Sequence, residues 1–119
     1  MAQKWNNPDW KVVLGDDSLI HPGAVIYLAG PMKGVADYNR PDFYSAERFL
    51  QQEGVIVLNP AKLPIGMPES AYLPICIAML EQAETAVFLP GWGSSEGAVT
   101  EYSYAISQKK GCLFIGKNN

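Results

Sequence analysis

The chain has 119 residues and a mass of 13.0 kDa, the size of one compact domain. Its 48% apolar and 18% charged residues suit a globular chain and exclude a disordered one. Nine Lys plus Arg against twelve Asp plus Glu leave a net charge of -3, so no basic surplus exists for a nucleic-acid backbone.

Residues 1–22 read as an irregular N-terminal extension, in which Lys11 to Leu14 suits a short extra strand and Asp16 and Asp17 a solvated turn. The opening MAQKWNNPDW is polar and carries no secretory apolar core. Residues 24–29 (AVIYLA) form a continuous apolar, β-branched and aromatic run, the pattern of a buried strand. Gly30-Pro31-Met32-Lys33-Gly34 ends it as a loop. A helix is expected over 41–53, with Pro41 at its first position, Phe43, Ala46, Phe49 and Leu50 on one face, and Gly54 past its end. A second strand (55–58), a proline-rich loop (59–69) and a helix over 72–83 follow, with Pro74 in the first turn. A third strand (85–89) and a Gly/Ser-rich turn (90–96) lead to a helix over 97–110, capped by Ser95 and ended by Gly111. The last strand covers 112–115.

Strands alternating with helices predict a single-domain α/β fold: a doubly wound parallel sheet of the flavodoxin- or Rossmann-like class, with four to five strands and helices on both faces. Such sheets bind ligands at the carboxyl ends of their strands. No apolar run approaches the ~18–20 residues of a membrane helix, so no membrane partner is expected and the chain reads as soluble and cytoplasmic.

Two side-chain counts narrow the chemistry. His21 is the only histidine and sits in a loop, so a histidine triad would need it to fold back into the site. Cys76 and Cys112 are too few and too far apart for a zinc site, and both suit small buried core positions.

Two segments fall at strand ends. Gly30 and Gly34 would let backbone approach a ligand, and Lys33 could meet a phosphate, although a plain turn explains the same residues. In the other segment Ser95 and Gly97 open a helix whose N-terminal amides favour an anion. Glu101 lies one turn beyond Gly97 and leans over it. Spacing alone leaves Glu101 open between a nucleophilic carboxylate and an exposed helix glutamate. Trp92 either stacks on a base or packs on a neighbouring subunit. Asp37-Tyr38-Asn39 either contacts base or sugar or supplies Asn39 as a helix cap.

Ile26-Tyr27-Leu28-Ala29-Gly30 and Ser95-Glu96-Gly97-Ala98-Val99-Thr100-Glu101, followed by Tyr104-Ala105-Ile106-Ser107-Gln108, resemble the nucleoside 2-deoxyribosyltransferase-like family. The likeness spans about residues 24–116 and includes the family's deoxynucleoside 5′-monophosphate N-glycosidases. It implies that Glu101 attacks C1′ of the deoxyribose and that Tyr27 orients it. Ser95 stands where the transferases of free nucleosides carry aspartate and the monophosphate hydrolases serine. With Lys33 it would then hold a 5′-phosphate, while Pro31 replaces the hydrolases' serine in the first loop. The resemblance also implies a homo-oligomer, a deoxynucleoside or deoxynucleotide as the small-molecule partner, and neither metal nor organic cofactor. The family's acid that protonates the leaving base falls on Cys76, eight residues ahead of Glu84. Another acid then serves (Asp37, Glu69 and Glu96 are loop candidates), or the base leaves with less help, or the chain is an inactive nucleotide-binding module. A flavin-binding redox carrier shares the sheet order but has little further support in the sequence.

Overall fold

The structure, a computed structural model, describes residues 7–118. The first six residues of the polar N-terminal stretch lie outside the described residues. Five strands, β1 (Trp10–Leu14), β2 (Val25–Ala29), β3 (Ile56–Leu58), β4 (Thr85–Phe88) and β5 (Gly111–Lys117), form one sheet in the order β1-β5-β4-β2-β3. Helices α1 (Arg40–Gln51), α2 (Glu69–Glu81) and α3 (Glu96–Ser107) connect the parallel strands. The strand β2 pairs in parallel with both β3 and β4, and β4 with β5. This is the expected doubly wound, flavodoxin-like arrangement.

The sheet is mixed rather than wholly parallel. The extension supplies β1, which runs antiparallel to β5 with Trp10 opposite Lys117 and Val12 opposite Ile115. Burial explains the docking: the Trp10 ring is enclosed by the core, and its Nε1–H donates to Ser45 Oγ of α1 at 2.8 Å. The added strand also covers one edge of the sheet.

Alternation along the strands assigns the two faces. Ile26 and Leu28 point to α1, where Phe43, Ala46, Phe49 and Leu50 meet Val87, Leu113 and Ile115. Tyr27 and Ala29 point the other way, towards Cys76 and Leu80 of α2 and Ala105 of α3.

Two helix ends differ from expectation. Pro68 precedes α2, which therefore starts at Glu69; Pro74 lies more than a turn inside and removes the N–H that would bond the Ser70 carbonyl. The helix α3 stops at Ser107, with Lys109 rather than Gly111 in the left-handed region (φ 58°). Gly111 instead begins β5, where a Cβ would lie 2.8 Å from Thr85 Oγ1 and 2.7 Å from Leu19 Cδ1, so the close packing requires glycine.

Candidate functional site

Neighbours β2 and β4 send their connections to opposite sides: β2 leads to β3, and β4 leads to β5. A crevice opens at the carboxyl ends of strands at such a switch point. Here it is a cleft of about 1080 Å³, just above the usual range for small-molecule sites. Its floor is Tyr27, Cys76 and Glu101.

Glu101 is 5% exposed and Tyr27 fully buried, which rules out the exposed helix glutamate. The Tyr27 hydroxyl donates to Glu101 Oε2 in a short hydrogen bond. Burial raises the Glu101 carboxyl to about 7, against the lowering effect of the Tyr27 hydrogen bond. Burial first, then the neighbouring Glu101 and Cys76, hold the Tyr27 hydroxyl well above the usual tyrosine range. The Cys76 thiol adjoins that hydroxyl and is likewise pushed up by burial. Cys76 is thus buried in the core as expected but also forms part of the cleft floor, whereas Cys112 is only half-buried.

The turn after β4 supplies the second wall. Ser95 Oγ accepts from Ala98 N at 3.2 Å and so caps α3, keeping its own proton to donate into the cleft. Gly97 leaves the helix N-terminus open, since a Cβ there would meet nothing closer than Ser95 Oγ at 4.0 Å. Gly30 lines the opposite rim; its missing side chain gives room to Leu89, whose Cβ would lie 2.9 Å from a Cβ at 30. Lys33 also lines the cleft, 82% exposed and 3.5 Å from Glu69 Oε1 across the mouth. A surface pair of this kind exchanges readily for another anion.

Three predicted binding residues lie outside the lining. Trp92 packs within its own chain, its ring 5.2 Å from Phe88, 4.9 Å from Tyr102 and 5.5 Å from Phe114. Those aromatic contacts hold the indole outside the cleft lining. Gly34 adopts φ +81° at an exposed bend and serves the turn only. Asp37 pairs with Arg40, whose Nε donates to Asp37 Oδ1 at 2.9 Å. Nor is Asn39 a side-chain cap: it sits left-handed at φ 60°, and its Nδ2 donates to the Pro31 carbonyl at 2.9 Å.

Arg40 was missed by sequence reasoning. Asp37, Tyr38 and Asn39 have φ of 52°, 52° and 60°, a left-handed run that leaves Tyr38 and Arg40 on the cleft wall. The Asp-x-x-Arg spacing at the start of α1 was the available signal. Also missed was a polar clasp beneath the 59–68 arm. Glu47 sits on the apolar stripe of α1, accepts from Asn59 Nδ2 at 2.9 Å and pairs with Lys62 Nζ at 2.8 Å. A charged residue at core spacing was its signal. The clasp holds the arm that contributes Pro60, Ala61 and Leu63 to the cleft. Tyr72 pins the rest, donating to the Pro64 carbonyl at 2.7 Å and accepting from Met67 N at 3.2 Å.

His21 stands at the other end of the sheet, beside Glu84 just ahead of β4, and takes no part in the cleft. Glu69 and Glu96 line the cleft as exposed carboxylates; Asp37 does not reach it. Among the described residues no cluster of three or more His, Cys, Asp or Glu could hold a metal ion, and no helix is long and apolar enough to cross a membrane.

Sheet order, switch-point cleft and buried acid together define a flavodoxin-like α/β domain with a small-molecule-sized site. The family model described as Domain of unknown function (DUF4406) matches residues 24–114, and the chain belongs to that family. No curated protein and no solved structure matches it.

Proposed function

We propose that this chain cleaves or exchanges the N-glycosidic bond of a 2′-deoxynucleoside or its 5′-monophosphate. The observation that carries this reading is the buried Glu101, held by the buried Tyr27 hydroxyl on the cleft floor below the α3 N-terminus. The likeness of the YLAG and SEGAVTE segments to the nucleoside 2-deoxyribosyltransferase-like family supplies the reaction class.

Glu101 attacks C1′ of the sugar, the base departs, and a glycosyl ester forms on the carboxylate. Water or a second base then takes the sugar. The route uses no metal or organic cofactor. Tyr27 keeps the attacking oxygen in place. With its pKa near 7, Glu101 is partly ionised at neutral pH and becomes fully nucleophilic above it. Ser95, the first amides of α3, Lys33 and Arg40 offer donors and positive charge to a 5′-phosphate. A second copy of the chain is a partner in this reading. From Leu73 to Leu80 the helix α2 is apolar on every side, and it leaves Leu73 and Ile75 exposed in the single chain.

The test is incubation with the four deoxynucleosides and their 5′-monophosphates, with and without an acceptor base, followed by chromatography. Base release or exchange that vanishes in Glu101→Ala is expected. A binding module without turnover is the second reading, favoured by a thiol at Cys76 on the cleft floor. Binding in calorimetry with no product from any substrate would select it.

A further inference from the structure

Resting on the glycosidase reading, we propose that the departing base receives no proton from the protein, so that the reaction rate follows how well the base leaves as an anion. The side chains around the floor lead to this conclusion. Glu101 is the buried carboxyl group of the cleft, and its oxygen is committed to C1′. The Tyr27 hydroxyl proton is engaged by Glu101. The other lining carboxylates, Glu69 and Glu96, are solvent-exposed at the rim, and Glu69 lies beside Lys33.

The wall on the α2 side is mostly apolar: Leu63, Ile65, Met67, Leu73 and Pro74 line it, and beside the rim carboxylate of Glu69 its polar groups are the hydroxyls of Ser70 and Tyr72. The Tyr72 hydroxyl there already donates to the Pro64 carbonyl. Cys76 lies on the floor beside the Tyr27 hydroxyl. A thiol is a weak hydrogen-bond donor, and burial makes this one a weaker acid still.

The step balances without a protein acid. A Glu101 oxygen bonds to C1′ as the C1′–N bond breaks, and the bonding pair stays on nitrogen. The base leaves as an anion and takes a proton from water. Water then adds to C1′, and the C1′–O bond to Glu101 breaks to restore the carboxylate. One water is consumed for each glycosidic bond split.

The experiment compares 5-fluoro-, unsubstituted and 5-methyl-2′-deoxyuridine 5′-monophosphate with the full-length chain, reading kcat/KM from released base. Fluorine stabilises the departing anion and methyl destabilises it. The expected result is a fall of kcat/KM from fluoro through unsubstituted to methyl. Cys76→Ser should keep that order. Cys76→Asp should compress it and raise the methyl substrate by roughly 10- to 100-fold, the scale of one added general acid. Base release at equal rates across the wild-type series would overturn this inference and leave the glycosidase reading standing. So would a Cys76→Asp variant that folds and keeps the full spread. No base from any of the three, with none released from the four deoxynucleosides or their 5′-monophosphates either, would overturn both.

Discussion

The two faces of the sheet are built from the same strands and do opposite things. Towards α1, β2 presents Ile26 and Leu28 to an aliphatic and aromatic core. Towards α2 and α3 it presents Tyr27 and Ala29, to a cluster that sets three alanines, Ala83, Ala86 and Ala105, beside Leu80 and Phe88. Small side chains leave room for a tyrosine and a carboxylate below the cleft. A period of two therefore separates the α1 core from the proposed catalytic pair within one five-residue strand.

Substitutions on each face sharpen this contrast. Leu50→Ala on the α1 face should cost roughly 2–5 kcal/mol, read as a lower Tm, while activity per folded molecule stays near wild type. Lost activity in the folded fraction would show that the faces are not separable. Glu101→Gln should do the reverse, ending turnover while stabilising the fold at alkaline pH. The sign follows from the raised carboxyl pKa. The neutral acid is favoured in the folded chain, so its stabilising contribution is full below about 4.5 and is lost as pH rises through about 7. Glutamine is neutral throughout and avoids that loss, so the gain should reach up to about 3 kcal/mol at pH 8 and vanish at pH 4. Denaturant titrations at the two pH values check it.

Tyr27→Phe removes the hydroxyl that lowers the Glu101 pKa. Turnover should fall by roughly 10- to 100-fold, and the acid limb of the pH–rate profile should move to higher pH. A profile left in place would assign Tyr27 to packing alone. The smallest effect is expected at the rim. Arg40→Ala should raise KM for a 5′-monophosphate by roughly three- to tenfold and leave the free nucleoside unchanged. An equal rise for both would place Arg40 away from the phosphate.

Much of this architecture was legible in the chain because its signals are local. The AVIYLA run, the apolar stripe of α1 and the Ser95 cap each reveal an element within a few residues. The spacing from Gly97 to Glu101 put a carboxyl at the opening of α3 but left it open between a nucleophile and an exposed glutamate, which its burial then decided. What escaped depends on contacts between distant segments. Trp92 looks like a free loop aromatic until Tyr102 and Phe114 are brought beside it. Arg40 reaches the cleft through three consecutive left-handed residues, a run that Asp37 and Asn39 tolerate singly but that no sequence pattern announces. The direction of β1 was unreadable because its partner lies about a hundred residues further along, in β5.

That strand has a mechanical consequence. Because β1 runs antiparallel to β5, the two described ends of the chain meet at one corner, where Asn118 N donates to the Asp9 carbonyl at 2.9 Å. A force separating residues 7 and 118 loads the outermost hydrogen bond of the ladder first, then the next. The strands peel in sequence instead of sliding against all their bonds at once. Stretched from these points, the domain should shed β1 at low force, with the parallel core and its cleft still folded.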